Sequence, residues 1–177
     1  MTAGTVLSVA SEAFPLAKTG GLGDVSAALC QYLHGQGHDV RVFLPWYRDL
    51  NREGLTMEPS PLMEGLQLSI GPHHYEYRVL VGTPSGTQQR VHFIDCPALY
   101  DRDGLYGQAD DHRRFLLLTR AAFEVARIQA DSDVEIVFAG LAAALGAAAL
   151  SAAGLGAAAT AGLGLKSNSI FSPPRGL

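Results

Sequence analysis

The sequence Lys18-Thr19-Gly20-Gly21-Leu22-Gly23-Asp24 lies between a short β-branched, apolar run, Thr5 to Ala10, and a segment with helical spacing. When glycines join a strand to a helix start, backbone N–H groups face a common space in which the helix dipole favours an anion. Glycine permits positive φ and a close approach of ligand to backbone, and Lys18 adds a charge on a long stem. The residues therefore predict a phosphate-binding turn at the carboxyl end of a first, buried strand.

A tight structural turn is the alternative interpretation of the same glycine cluster. The stretch is not a Walker A loop, which needs Gly-Lys-Ser/Thr after a four-residue gap, and it lacks the spaced glycines of the dinucleotide fingerprint. Position in the chain favours the ligand interpretation, as the next segments show.

The residues after the turn predict a strand–helix–strand unit. Helical spacing over Asp24 to Gln36 places three apolar residues on one stripe: Val25, Leu29 and Leu33. Asp39 to Leu44 predicts a second strand that Pro45 ends. Such a unit begins an open parallel sheet, in which ligands bind outside the carboxyl ends of the strands.

The middle of the chain predicts strands and turns. Asp49 to Pro61 is polar and turn-rich, and predicts a surface excursion. Short strands are predicted at Leu66 to Ile70, Tyr75 to Val81 and Arg90 to Ile94, the last two forming a hairpin around Gly82 to Gly86. Alternation in Tyr75 to Val79 indicates one solvated face.

A loop rich in tyrosine and aspartate, Asp95 to Gly107, precedes a long helix. Its tyrosines suit either stacking on sugar rings or an ordinary structural loop, and the residues alone favour the structural interpretation. Asp110 to Ala130 predicts an amphipathic helix with a structural role. Its apolar stripe is Phe115, Leu118, Ala122 and Val125, and its polar residues, expected largely elsewhere, are Arg113, Arg114, Arg120 and Glu124.

Composition excludes several classes of function. The 177 residues suit one domain, and the formal net charge of −4 without a basic stripe argues against a nucleic-acid partner. Cys30 and Cys96 lie far apart, no signal-peptide pattern opens the chain, and reduced thiols in the cytoplasm are expected. The adjacent pair His73-His74 points to opposite faces of a strand, so solvated side chains rather than metal ligands are predicted.

The run Ser11-Glu12-Ala13-Phe14-Pro15-Leu16-Ala17-Lys18-Thr19-Gly20-Gly21-Leu22-Gly23-Asp24-Val25 resembles the amino terminus of bacterial glycogen synthases and plant starch synthases. The Tyr-Asp-Arg triplet at Tyr100 to Arg102 and the helix starting at Asp110 extend the resemblance over residues 5 to about 130. It implies an α/β fold with a Rossmann-like, open, mainly parallel sheet, the first half of a GT-B glycosyltransferase, with an added β-hairpin region.

The activity that the resemblance implies is retaining transfer of glucose from ADP-glucose to the non-reducing end of an α-1,4-glucan. By the same resemblance Lys18 contacts the donor phosphates, Gly20 and Gly21 bring the backbone to the donor, and Asp24 lies near the same site. No catalytic residue, metal ion or cofactor is assigned within this chain. Glu12 is a weaker candidate, and a solvated loop residue is expected there.

The resemblance ends after the predicted helix. The family continues with a strand, which Asp133-Val134 could begin, and then with a His-Asp-Trp-His motif that this chain lacks. The second Rossmann domain, which in the family supplies most nucleotide contacts and the catalytic acidic residue, is also missing. We therefore expect residues 1–135 to form an incomplete Rossmann-like domain that is inactive alone.

Residues 136–177 are expected to form a separate, non-native tail. Ile136 to Leu165 has no charged residue and is rich in Ala and Gly, which favours a weakly structured segment over a membrane helix. A frame shift in a GC-rich gene would yield such a composition. Two other functions stay open: a binding module for glucan or nucleotide sugar without turnover, and a membrane-tethered interaction protein.

Overall fold

Four parallel strands form the centre of the fold. A computed structural model describes residues 4–129 and 134–137. The elements, in chain order, are β1 (Thr5–Val9), α1 (Gly21–Gly35), β2 (Asp39–Pro45), β3 (Leu55–Met57), β4 (Met63–Ile70), β5 (His73–Pro84), β6 (Val91–Asp95), the short α2 (Pro97–Tyr100), α3 (Asp111–Gln129) and β7 (Val134–Val137).

One mixed sheet runs in the order β3-β5-β6-β2-β1-β7, and β4 also pairs with β5. The pairs β7–β1, β1–β2 and β2–β6 are parallel, whereas β5 pairs with β3, β4 and β6 in antiparallel register. The predicted strand–helix–strand unit, the open and mainly parallel α/β sheet and the hairpin between β5 and β6 are confirmed. The strand expected near Asp133-Val134 is also present, as β7.

The core follows from the apolar strands. Residues of β2 and β6, among them Phe43, Leu44 and Phe93, are inaccessible to solvent. α3 packs on these strands, and Leu118, Ala122 and Val125 of its predicted stripe belong to the same core cluster. That burial is the main favourable term in folding, at roughly 25 cal/mol per Å² of apolar surface. Cys30 and Cys96 are both buried, and neither is in a disulfide.

The surface excursion predicted over Asp49 to Pro61 contains a short edge strand that was not predicted, β3. Leu55 and Met57 lie over Gly82 of β5, where an added Cβ would stand only 2.7 Å from Met57 Sδ and 3.0 Å from Leu55 Cδ1. A glycine in the neighbouring strand thus makes room for a short edge strand that propensity does not reveal.

The buried face of α1 also differs from the prediction. Val25, assigned to the apolar stripe, is 64% exposed, and the buried residues are Gly23, Ser26 and Cys30. Small side chains let the helix approach closely, so residue size rather than hydrophobicity selects the inner face. The helix begins at Gly21, three residues earlier than predicted.

The tail predicted for residues 136–177 lies outside the described residues from position 138 onward. Ile136 and Val137 are the last residues of β7, which therefore crosses the boundary expected after residue 135. Within residues 4–129 and 134–137, no helix combines the length and hydrophobicity needed to cross a bilayer.

Candidate functional site

The glycine turn lies at the carboxyl end of β1, as predicted. The chain leaves β1 with Ala10 N donating to Phe43 O of β2, at 3.1 Å, and reaches α1 through a loop that folds back on itself. Asn51 holds this loop from outside, since its N–H donates to Leu16 O at 2.7 Å and its side-chain amide to Pro15 O at 3.1 Å. The turn is therefore fixed to the ends of two parallel strands.

Lys18 projects to solvent at the start of α1. Its Nζ lies 2.7 Å from Asp24 Oδ2 and 2.8 Å from Oδ1, with side-chain exposures of 41% for Lys18 and 53% for Asp24. The Phe14 ring lies 5.6 Å below the ammonium. The structure thus brings two of the predicted site residues into direct contact, in an exposed ion pair.

The glycines of the turn differ in whether the surrounding atoms leave room for a side chain. Gly20 is the N-cap of α1 with φ −152° and ψ −157°, and Gly20, Gly21 and Gly23 all avoid the left-handed region, so the turn does not use the positive φ that glycine permits. A Cβ on Gly20 or Gly21 would meet no atom within 4 Å, whereas one on Gly23 would lie 3.2 Å from Ala17 O and from Lys18 Cβ. Gly23 serves packing, and open space lies beside Gly20 and Gly21.

Glu12 is not the solvated loop residue that the sequence predicted, because it is only 2% exposed. Its Oε2 accepts the N–H of Thr19 at 2.7 Å and of Gly20 at 3.4 Å. Its Oε1 accepts the hydroxyls of Thr19 at 2.8 Å and Tyr106 at 2.7 Å. Burial by itself raises the pKa of Glu12, but these hydrogen bonds outweigh it and hold the pKa below its ordinary value.

Tyr106 connects the turn to the loop before α3. Its oxygen lies 2.8 Å from Ser11 Oγ, and because its own proton goes to Glu12, Ser11 is the donor of that bond. Tyr47 donates its hydroxyl to Ser11 O at 3.0 Å. Burial, with the contact to Glu12, raises the pKa of Tyr106 far above its usual range, so it remains a donor.

Arg114 contradicts its predicted place on the polar side of α3, since its side chain is 0% exposed. Its Nε donates to Leu99 O at 2.9 Å, and Nη1 donates to Leu105 O at 3.0 Å and to Asp111 Oδ1 at 2.7 Å. The tyrosine-rich loop wraps around this guanidinium, and Tyr100 is buried beside it. Buried rings cannot stack on a sugar, so the structural interpretation of this loop is correct at Tyr100.

Two cavities open on the described surface. One, of about 480 Å³, lies beside the turn and is lined by Phe14, Lys18, Thr19, Asp49, Asn51 and Leu105 among others. The other, of about 540 Å³, lies at the opposite edge of the sheet, between the starts of β2 and β6. Only the first adjoins the predicted site residues. Among the residues that the structure describes, no cluster of His, Cys, Asp or Glu suits a metal ion, and His73 and His74 are exposed as expected.

Residues 5–145 match the sequence model of the starch synthase catalytic domain. The chain belongs to this family. It is 37% identical over 131 residues to a glycogen synthase of Treponema denticola, covering 71% of this chain and 26% of that protein. It is 44% identical over 125 residues to a glycogen synthase of Rhodospirillum rubrum, covering 66% of this chain and 24% of that protein.

The fold of the family is confirmed by a solved structure. The catalytic domain of starch synthase IV from Arabidopsis thaliana, bound to ADP and acarbose, superimposes with a TM-score of 0.66 at 31% identity and covers 77% of this chain and 28% of that one. The chain therefore spans about a quarter of the length of the curated relatives it matches.

Sequence reasoning missed three features of the site: the burial of Glu12, its bond to Tyr106 and the packing role of Gly23. The first two involve residues 94 positions apart, so no local pattern links them. The third had a usable signal, because Gly23 stands at the first turn of α1, where a side chain would meet the preceding loop.

Proposed function

We propose that this chain provides the first Rossmann-like unit of a glucosyltransferase that moves glucose from ADP-glucose to the non-reducing end of an α-1,4-glucan with retention. Family membership supports the reaction class. The observation that carries the proposal for this chain is the exposed Lys18 ammonium at the start of α1, beside open space at Gly20 and Gly21.

The chemistry of this turn suits a departing diphosphate. Negative charge grows on the leaving phosphate as the bond to glucose breaks, and the first-turn N–H groups of α1 have no intrahelical acceptor. An N–H or ammonium fixed near that charge stabilises the transition state more than the ground state. Gly20 and Gly21 carry no side chain that would keep a phosphate away from the backbone.

Lys18 is available because its present partner is weak. An exposed ion pair such as Lys18–Asp24 contributes about 0–1 kcal/mol. A diphosphate carries more negative charge than the single carboxylate of Asp24, so we expect it to displace Asp24 from the ammonium. Asp24 is then free to meet another part of the donor, which is the role that we propose for it.

The wider assignment is part of the same proposal. Residues 1–135 form the acceptor-side unit, the glucan binds across the cleft from the donor, and the protein works in the cytoplasm. Most of the nucleotide contacts of the family, and its catalytic acidic residue, belong to the second Rossmann domain, for which this chain has no counterpart in its matched part. We expect no turnover from residues 1–135 alone.

Calorimetry with ADP-glucose tests the proposal on the full chain. Lys18→Ala should weaken binding about 10- to 100-fold, which corresponds to about 1.5–3 kcal/mol, and should change the free energy of unfolding by less than about 1 kcal/mol. In a chain that carries both halves of the catalytic domain, the same change should lower the rate on the order of 10²- to 10³-fold.

Arg127→Ala is the matched control, because Arg127 forms an exposed pair with Glu124 on the far part of α3. It should leave ADP-glucose affinity unchanged. Unaltered affinity in Lys18→Ala would refute the role of the lysine. Binding of maltooligosaccharide without ADP-glucose would instead support a glucan-binding module.

A further inference from the structure

We propose that Glu12, fixed by Tyr106, is a positioning residue that sets the geometry of the glycine turn for the diphosphate of the donor. This inference rests on the proposed function and adds to it two residues that do not contact the ligand. Glu12 is 2% exposed, so its carboxylate acts through the turn rather than on the phosphate.

The first step is that Glu12 uses both oxygens to hold the turn. Oε2 accepts the N–H groups of Thr19 and Gly20, and Oε1 accepts the Thr19 hydroxyl. A carboxylate with several such bonds forms a strong, oriented set of charge-assisted contacts. The two peptide N–H groups just before α1 thus point inward.

The second step concerns the donors that remain. Because Thr19 and Gly20 are turned toward Glu12, the donors left for an anion at the start of α1 are the N–H groups of the next residues, Gly21 and Leu22, and the Lys18 ammonium. The peptide groups of Thr19 and Gly20, held by Glu12, orient the peptide groups of Gly21 and Leu22 that follow them. A side chain that is hidden from the ligand therefore decides where the ligand-facing donors lie.

The third step is that Tyr106 anchors Glu12 to a buried residue of α3. The Tyr106 hydroxyl donates to Glu12 at 2.7 Å, and its ring packs against Phe115 of α3 with centroids 5.7 Å apart. Ser11 holds the same hydroxyl oxygen at 2.8 Å. The turn, the loop before α3 and α3 itself are connected through one carboxylate.

Electrostatics alone predicts the opposite effect of removing this carboxylate. Glu12 is a negative charge close to a site proposed for a diphosphate, so its neutralisation should strengthen anion binding if charge were all that mattered. If Glu12 positions the turn, Glu12→Gln should weaken binding, since an amide replaces one acceptor oxygen with a donor. The sign of the change separates positioning from simple repulsion.

ADP is the probe, and its affinity for the full chain is measured by calorimetry on folded protein well below the unfolding temperature. We expect Glu12→Gln to weaken ADP binding about tenfold and Tyr106→Phe about threefold. The double variant should bind no worse than Glu12→Gln, because both changes break one connected unit. Glu58→Gln is the control, because Glu58 pairs with Arg90 at 2.6 Å, outside this cluster. The affinity of the Glu58→Gln variant for ADP should equal that of the wild type.

Equal or tighter ADP binding by Glu12→Gln overturns the inference, and so does strictly additive behaviour of the double variant. A purely structural role would lower the unfolding temperature and leave the affinity of the folded protein unchanged. If Glu12→Gln does not fold, Tyr106→Phe decides alone, with unchanged affinity counting against the inference. If the wild type itself binds no ADP, the proposed function fails as well, so the two failures are distinguishable.

Discussion

α1 and α3 both begin at the edge of the sheet where the parallel strands end, yet their N-termini are built differently. At α3, Asp111 Oδ2 accepts the N–H groups of Gly107 at 2.8 Å and Gln108 at 3.2 Å, and Oδ1 accepts Arg114. At α1 the N-cap is Gly20, which offers no side-chain bond. In both places a carboxylate accepts the N–H groups just before the helix, Glu12 at α1 and Asp111 at α3. We call the start of α3 closed, because Asp111 also holds the buried Arg114, and that of α1 open, because the cation beside it, Lys18, is exposed.

The basic residue beside each N-terminus follows the same division. Arg114 is inaccessible and bonded to two carbonyls and a carboxylate, whereas Lys18 stands in solvent with one exposed partner. A planar, permanently charged guanidinium suits fixed, buried contacts, and a flexible ammonium suits a partner that comes and goes. The same helix-start chemistry thus serves stability at α3 and, as proposed, ligand binding at α1.

Arg114→Leu tests the closed side and should have the largest effect. The change leaves Leu99 O, Leu105 O and the Asp111 carboxylate without their donor in the protein interior. Breaking a buried pair of this kind costs about 3–5 kcal/mol. The free energy of unfolding, obtained from urea titration of the full chain, measures the loss.

Two exposed cations provide the contrast for that measurement. Lys18→Leu and Arg127→Leu each remove one exposed ion pair and should cost less than about 1 kcal/mol. If Arg114→Leu fell within the same range, the two helix starts would not differ in stability as their contacts indicate.

Two glycine variants test the start of α1, and the larger of their expected effects on the free energy of unfolding is intermediate. Gly23→Ala places a Cβ 3.2 Å from Ala17 O, a backbone atom that cannot move freely, and should destabilise by about 1–3 kcal/mol. Gly21→Ala meets no atom within 4 Å and should be neutral, or stabilise by up to about 1 kcal/mol through the unfolded chain. Thermal and urea unfolding compare them, and the reverse order would show that the turn packs differently.

The pH dependence of Glu12 gives the smallest expected effect. The folded state lowers the pKa of Glu12 below 4.5, so its contribution to stability is present above pH 4.5 and is lost as the pH falls through the lower value. The difference in unfolding free energy between wild type and Glu12→Gln should therefore shrink between pH 7 and pH 3. A difference that grows on acidification would mean that folding raises this pKa.

The sequence was sufficient where the signal is local. Helical spacing places Phe115, Leu118, Ala122 and Val125 on the inner face of α3. Alternating or apolar runs indicate β1, β2, β4, β5 and β6, whereas β7 was expected from the family resemblance. Glycines and Lys18 in one short run give the location of the candidate site. These features depend on neighbours in the chain, which periodicity encodes.

The parts that could not be predicted depend on distant partners. The burial of Arg114 could not be predicted, because arginine is usually exposed. It is buried here because the carbonyls of Leu99 and Leu105 accept its hydrogen bonds. Glu12 similarly needs Tyr106, and β3 needs the gap that Gly82 leaves. A buried polar group is stable only with its partners in place, and a single chain pattern does not specify which partners those are.

The two free thiols allow the opening of the region around α1 and of the region leading to α3 to be measured separately. Cys30 lies on the inner face of α1, and Cys96 lies immediately before α2, on the side of the molecule that leads to α3. Burial raises the pKa of the Cys30 thiol, and it raises that of Cys96 to about 11. Neither reacts with an alkylating reagent while its surroundings are closed, because the thiolate is the reactive form. The rate at which each sulfur is trapped therefore reports how often its own part of the fold opens.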